Sequence, residues 1–267
     1  MNFWEAILFT LIFQIALLAL NLWVFIFPNI LESQNENLIF FLDLSPIFSS
    51  IIGFTFLWLF ILRRNINFQN EKSQKINFFA VIAVVLMVFG LYFAERPFYD
   101  FYNNVILNQE FKPRNLDISE LNNSMTITEL TTGILFAPIF EEMFFRKFIF
   151  SKLLKKNSVI NSILISSLCF ALIHLPNYRQ AISCFYAGIL YAYIFYKTQN
   201  IIYPILLHFI GNLFYYILKF VGADFYVFMK SIKYNFTYWL IVMLGIGTLY
   251  LGIIIIEKLT KQNTTEI

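Results

Sequence analysis

The chain has 267 residues, of which 59% are apolar and 20% aromatic but only 13% charged. Soluble domains contain about 25% charged residues, so this balance indicates a membrane protein. The net charge of +3 is small, and its basic residues lie mostly in short segments beside apolar runs. The composition therefore predicts a lipid bilayer as the environment and excludes nucleic acid as a partner.

About eight apolar runs are long enough to cross a hydrocarbon core of about 30 Å, at roughly 20 residues each. We therefore predict an all-α fold, a polytopic membrane helix bundle with about eight transmembrane helices. The predicted spans lie near residues 6–28, 46–62, 76–94, 127–154, 158–175, 178–196, 201–220 and 236–256.

Loop charge predicts the orientation of these spans. The segment 63–75 contains four basic residues, whereas the charged residues of segment 29–45 are all acidic. Because Lys and Arg concentrate in cytoplasmic loops, segment 63–75 is predicted to be cytoplasmic. Alternation of the spans then places both termini in the cytoplasm, in a multi-pass protein of the plasma membrane. The long connection 95–126 is rich in aromatic residues, which favours a place in the membrane interface as a lid or as a linker.

Three charged side chains, Glu141, Glu142 and Arg146, fall inside the fourth apolar run. A charge at a helix centre costs about 2.5–3.5 kcal/mol, so such residues usually face the protein interior or a wet cavity. Glu142 and Arg146 are four residues apart and lie about 40° apart on a helix, which predicts an ion pair. Glu141 has no such local partner, and this suits a general base. The alternative is an interfacial helix end, where all three charges are solvated.

The chain has two histidines, His174 and His208, and both fall within predicted spans. Phe170 and His174 share one helical face, and His208 and Asn212 share another. Each histidine alone would more often be a hydrogen-bonded core residue. Together with Glu141 they form a polar set on three different helices, which favours a functional site.

Two prolines lie close to these polar residues, Pro138 before Glu141 and Pro204 before His208. Each lacks a backbone N–H, which is predicted to free the carbonyl of Ile134 or Asn200. Helix breaks at membrane depth occur where the backbone lines a cavity or is buried in protein, although an ordinary kink is the alternative. The helical rise of 1.5 Å per residue predicts that all these polar residues lie near the middle of the membrane.

Three motifs in chain order resemble those of the CPBP intramembrane protease family, the type II CAAX prenyl protease group that is also called the Abi or bacteriocin-immunity family. The motifs are Glu141-Glu142-x-x-x-Arg146, Phe170-x-x-x-His174 and His208-x-x-x-Asn212. The resemblance covers roughly residues 125–220 and implies a four-helix catalytic core. It divides the chain into N-terminal spans and the long loop (1–125), the core (126–220), and a C-terminal span and tail (221–267).

The resemblance also implies peptide-bond hydrolysis at the membrane and a role for each motif residue. Glu141 and His174 would activate the water, and His208 and Asn212 would stabilise the oxyanion. The supporting residues would be Glu142, Arg146 and Phe170, with the first two holding the helices in register.

The resemblance leaves two mechanisms open. The favoured one is driven by a glutamate and requires no cofactor. The other is a metalloprotease, in which His174, His208 and Glu141 would form a His₂Glu zinc site. The sequence lacks the His-Glu-x-x-His pattern that places two ligands on one helix, so no local motif demands a metal.

The predicted partners are the lipid bilayer and a membrane-associated peptide or protein substrate, while the oligomeric state is left open. Two functions of other classes remain as alternatives. A noncatalytic immunity or binding module would keep the fold without using Glu141. A proton-coupled transporter would also use intramembrane Glu and His, but it would be expected to show matching ionisable residues in the N-terminal spans.

Overall fold

The computed structural model describes residues 1–21, 36–59, 63, 78–102, 115, 117 and 124–265. These residues contain helices and no strand, so the predicted all-α membrane bundle is confirmed. The helices are α1 Phe3–Asn21, α2 Glu36–Leu57, α3 Phe78–Ala94, α4 Arg96–Phe101, α5 Ser124–Thr131, α6 Ala137–Glu142, α7 Ser151–Leu153, α8 Val159–Leu172, α9 Tyr178–Thr198, α10 Ile202–Val221, α11 Ala223–Ser231 and α12 Phe236–Thr265.

Each of the predicted spans contains a helix, but fewer meet the length and apolarity of a full crossing. Within the described residues, three helices do so: Phe78–Phe101, Ile202–Val221 and Phe236–Thr260. The count of about eight crossings stays a prediction, as do the orientation and the domain boundaries. The charged loop 63–75, apart from residue 63, and most of segment 95–126 lie outside the described residues.

Residues 124–153, which contain most of the fourth predicted span, form one continuous helical segment that we call the motif segment. Two π-helical stretches, Thr132–Phe136 and Met143–Phe150, flank the short helix α6 within it. The Ala137 N–H donates to the carbonyl of Thr132, five residues earlier. π-Helical stretches inside helices are rare and often mark functional sites.

Pro138 explains why the backbone carbonyl of Gly133 has no helical donor. In the five-residue register of the first π-helical stretch, residue 138 would donate to Gly133, and proline has no N–H. A regular α-helical register would free the carbonyl of Ile134, and that expectation stays a prediction.

Pro204 does not break a helix in the membrane, contrary to the prediction. It lies in the first turn of α10, where backbone N–H groups lack helical partners in any case. The carbonyl of Asn200, which precedes the helix, accepts a hydrogen bond from the Thr198 hydroxyl at 3.3 Å. The proline is therefore compatible with a regular helix start.

Helices α3 and α12 pack against each other through Gly90, Gly245 and Gly252, which we call the glycine seam. A Cβ atom at Gly90 would lie 2.7 Å from the Leu249 Cα and 2.8 Å from the Gly245 carbonyl oxygen. Small residues allow membrane helices to approach closely, so van der Waals packing holds this pair. Helix α10 contacts both α3 and the motif segment, and so links the seam to the polar residues.

Candidate active site

Each carboxylate oxygen of Glu142 lies beside a basic side chain. Its Oε2 lies 2.9 Å from the Arg146 Nε, which confirms the predicted ion pair. Its Oε1 lies 3.0 Å from the His208 Nδ1 and 3.4 Å from an Arg146 Nη atom. All three side chains are buried, so the cost of desolvating the carboxylate is offset by a cation and by hydrogen bonds.

Arg146 is enclosed by aromatic rings and by one hydroxyl. Its guanidinium carbon lies 4.8 Å from the ring centre of Phe170 and 5.6 Å from that of Tyr191. The Ser166 hydroxyl accepts from an Arg146 Nη atom at 3.4 Å and donates to the Phe145 carbonyl at 3.0 Å. The fully buried cation is thus fixed between the motif segment, α8 and α9.

Glu141 differs from its neighbour. Its Oε2 atom is buried and makes no hydrogen bond with any described residue. The Glu142 Oε2 also lacks a hydrogen bond, but it lies 2.9 Å from the Arg146 Nε, whereas the Glu141 Oε2 lies 3.9 Å from the His208 Nε2. A buried oxygen without a hydrogen bond is costly in a core, and such exceptions often occur at catalytic sites.

His174 lies just beyond the helix that was predicted to contain it. Helix α8 ends at Leu172, and His174 is half-buried in the turn that follows. The predicted depth near the middle of the membrane stays a prediction for this residue. The His174 Nδ1 lies 2.9 Å from the Phe170 carbonyl oxygen. A carbonyl can only accept, so Nδ1 carries the proton and neutral His174 keeps a lone pair on Nε2.

His208 is also held by an acceptor at its Nδ1. This nitrogen lies 3.0 Å from the Glu142 Oε1, and a carboxylate oxygen can only accept, so Nδ1 donates. The ring stacks on Tyr191, with 5.3 Å between centroids. The second nitrogen, Nε2, faces Glu141. We call Glu141, Glu142, Arg146 and His208 the ionic cluster.

The Phe170 ring contacts both histidines. It makes an edge contact with His174 at 5.1 Å between centroids and with His208 at 5.5 Å. The aromatic ring therefore contacts both imidazoles and the Arg146 cation. This position agrees with the supporting role that the family resemblance implies.

Asn212 lies one helical turn beyond His208 and hydrogen bonds to the backbone of the motif segment. Its Nδ2 donates to the Gly133 carbonyl at 2.7 Å, the acceptor that Pro138 leaves free. The amide has two N–H groups, so one remains for another acceptor. The bond joins α10 to the first π-helical stretch.

A cavity of about 480 Å³ opens beside this site, and His208, Asn212, Phe170 and Tyr191 are among the residues that line it. This volume is within the usual range for ligand pockets. Glu141 and His174 are not among the described lining residues. The structure thus brings the motif residues into one cluster but places only some of them on the cavity wall.

The donors of the alternative zinc site do not form a ligand set in this arrangement. Among the described residues, no three His, Cys, Asp or Glu side chains are grouped for a metal ion. The His208 Nδ1 is engaged by Glu142 and the His174 Nδ1 by a carbonyl. The zinc alternative gains no support from the geometry, and a chelation experiment has to test it.

Several site residues were not predicted. Ser166 lies four residues before Phe170 and eight before His174, so helical periodicity could have placed it on the same face. Tyr191 has no such local signal. Glu129 and Lys219 also form an ion pair, with 2.7 Å between the Lys219 Nζ and the Glu129 Oε1.

Comparison with known proteins relates this cluster to a family. A family model described as type II CAAX prenyl endopeptidase Rce1-like matches residues 123–214. The Bacillus subtilis (strain 168) protein named "Putative membrane peptidase YdiL" is 31% identical over 104 residues, which are 39% of this chain and 41% of that protein. The chain thus matches about two fifths of the length of this curated relative. No solved structure matches the chain.

The matched residues 123–214 contain all three motifs and every member of the ionic cluster. The resemblance that the motifs predicted is thereby confirmed, and this part of the chain matches the type II CAAX prenyl endopeptidase Rce1-like family.

Proposed function

We propose that the protein is an intramembrane endopeptidase that hydrolyses a peptide bond of a membrane-associated peptide or protein. The observation on which this rests is the difference between two adjacent carboxylates. Glu142 lies 2.9 Å from Arg146 and 3.0 Å from His208. The Oε2 of Glu141 makes no hydrogen bond among the described residues and lies 3.9 Å from the His208 Nε2. A fixed carboxylate that is free to bind a water molecule suits general-base catalysis.

In the proposed reaction, Glu141 takes a proton from a water molecule and the water oxygen attacks the scissile carbonyl carbon. The lone pair on the His174 Nε2 accepts the other water hydrogen and orients the nucleophile. The carbonyl oxygen becomes the oxyanion of a tetrahedral intermediate. Protonated Glu141 then gives the proton to the leaving nitrogen, and the C–N bond breaks.

His208 and Asn212 are proposed to stabilise the oxyanion. His208 donates through Nε2 only when both ring nitrogens are protonated, because Nδ1 already donates to Glu142. The Glu142 carboxylate stabilises that imidazolium. With His208 protonated, the ionic cluster contains two acidic and two basic charges and is neutral. Asn212 supplies the N–H that is not bound to Gly133.

The substrate is proposed to reach the site from the bilayer, in a multi-pass protein of the plasma membrane. The candidate catalytic residues lie in a bundle whose apolar helices indicate a membrane environment. A membrane-anchored peptide is therefore the substrate class to test first.

The test is cleavage of a panel of fluorogenic, membrane-anchored peptides by the purified protein, with Glu141→Ala and His174→Ala as comparison variants. Each is assayed with and without a zinc chelator. Activity that is lost in both variants but kept under chelation supports the glutamate mechanism. Activity that is lost under chelation and regained with zinc replaces it with the metal mechanism.

If the wild type cleaves no peptide of the panel, the result favours the noncatalytic immunity or binding module. In that case the Glu141→Ala variant should keep the cellular phenotype of the wild type. An immunity phenotype that disappears with Glu141→Ala would contradict the noncatalytic alternative.

A further inference from the structure

The cavity beside the ionic cluster extends well beyond the candidate catalytic residues. It continues between α3 and α9 to Glu95 and Ser183, and the Ser183 hydroxyl donates to the Glu95 Oε1 at 3.1 Å. Ser183 and Tyr191 are eight residues apart on α9, which corresponds to about 12 Å at 1.5 Å per residue. The cavity thus has one polar region at His208 and a second at Glu95, and its lining continues beyond Glu95 to Asn177 and Tyr226.

Each basic residue that lines the cavity has a partner of its own. Arg96 pairs with Asp100 at 3.4 Å, and Lys219 pairs with Glu129 at 2.7 Å. The third basic lining residue, Arg179, also has an interaction partner. Glu95 forms no ion pair with any described residue within 4.0 Å and accepts one neutral hydrogen bond. A carboxylate with remaining acceptor capacity favours a cationic ligand.

The cavity wall between His208 and Glu95 is apolar. Val88 and Leu91 of α3 lie on the same helical face as Glu95, and Ala187 and Leu190 of α9 also line the cavity. Lysine and arginine side chains combine an apolar stem with a charged head. Such a wall with a carboxylate at its end matches both parts of these side chains.

We propose that Glu95 is a specificity-determining residue that binds a lysine or arginine side chain of the peptide substrate. This inference deepens the proposed function and rests on it for the identification of the peptide as substrate. An extended peptide covers about 12 Å in roughly three to four residues. The basic side chain should therefore lie within about that distance of the scissile bond.

The test is a binding measurement that does not require cleavage. Glu141→Gln protein in zwitterionic lipid nanodiscs is titrated with fluorescein-labelled 12-residue peptides of leucine and alanine. One central position is lysine, arginine, norleucine or glutamate. Norleucine keeps the apolar stem of lysine and removes the charge. We expect the lysine and arginine peptides to bind about tenfold more tightly than the norleucine peptide, because hydrogen bonds to charged groups are the stronger ones.

The variants Glu95→Gln and Glu95→Lys are made in the same Glu141→Gln background. Glu95→Gln should remove the preference for lysine, and Glu95→Lys should shift it to the glutamate peptide. The matched control is Asp224→Asn, which removes an exposed carboxylate next to the lining residue Ala223 and should leave the preference unchanged. Size-exclusion profiles show whether each variant is folded.

Equal affinity for the lysine and norleucine peptides, a preference that survives Glu95→Gln, or no binding of any peptide would each overturn the inference. The proposed function fails separately. If wild-type protein cleaves nothing but the Glu95-dependent preference for lysine is present, the basic-residue site stands and the peptidase activity does not.

Discussion

The ionic cluster and the glycine seam are two buried regions that hold helices together in opposite ways. In the cluster, Glu142 joins the motif segment to α10 through charged hydrogen bonds with Arg146 and His208. In the seam, Gly90 and Gly245 let α3 and α12 approach until backbone contacts backbone, without any charge. The seam uses van der Waals contact alone, whereas the cluster places four ionisable groups in the interior.

This difference assigns the stability of the bundle to contacts such as the glycine seam and the chemistry to the ionic cluster. Small residues suffice to pack membrane helices, so the bundle does not need buried charges for cohesion. Buried ion pairs are often no more stabilising than well-packed apolar residues, because desolvation offsets the attraction. The cluster is therefore better explained by the reactive arrangement of Glu141 than by stability, and the following predictions test that separation.

The largest effect is expected when one partner is removed from the cluster. Glu142→Ala leaves Arg146 buried without its carboxylate, and breaking a buried pair in this way costs about 3–5 kcal/mol. The free energy of unfolding in detergent, from a denaturant titration, measures this loss. Glu129→Ala is the matched control, since its ion pair with Lys219 is largely exposed and should contribute about 0–1 kcal/mol. Equal losses in the two variants would contradict the comparison.

Asn212→Ala should reduce the rate of peptide cleavage by about 10²–10³, the usual cost of losing one oxyanion donor. The variant also loses the hydrogen bond to Gly133, so its stability is measured alongside its kcat. The control is Tyr216→Phe, one turn further along α10, which also packs against Gly133 but whose hydroxyl donates weakly to Glu129 oxygens at about 3.4–3.5 Å. A similar loss of rate in Tyr216→Phe would remove the specific role of Asn212.

In the glycine seam, Gly90→Ala should destabilise the protein by about 1–3 kcal/mol, because overpacking forces the two helix backbones apart. Gly247→Ala on α12 should be neutral or stabilising by up to about 1 kcal/mol, since its new Cβ would meet nothing within 4 Å. Thermal unfolding of both variants provides the measurement. If Gly90→Ala instead leaves stability unchanged but abolishes cleavage, the seam is not independent of the site.

The smallest effect is expected for Ser166→Ala, which removes one hydroxyl next to Arg146. The loss should be about 1 kcal/mol, the net contribution of a typical hydrogen bond. Ser167→Ala is the neighbouring control, because its hydroxyl donates to the Ile163 carbonyl within its own helix at 2.7 Å. A larger loss for Ser167→Ala than for Ser166→Ala would show that Ser166 does not hold the cation.

Contacts within one helix could be predicted from the sequence, and contacts between helices could not. The pair Glu142 and Arg146 is four residues apart, so helical periodicity alone places the two side chains together. His208 is 66 residues from Glu142, and Asn212 is 79 residues from Gly133. No local rule fixes which atoms meet over such separations.

The sequence by itself determined the helical membrane fold, the three motifs and the isolation of Glu141 from any partner on its own helix, because composition and periodicity act locally. The tertiary structure decided the rest. Packing of α10 against the motif segment selected the His208 contact with Glu142, and the π-helical register left the Gly133 carbonyl for Asn212. The early end of α8 placed His174 in a turn, since helix ends depend on the neighbours against which the chain packs.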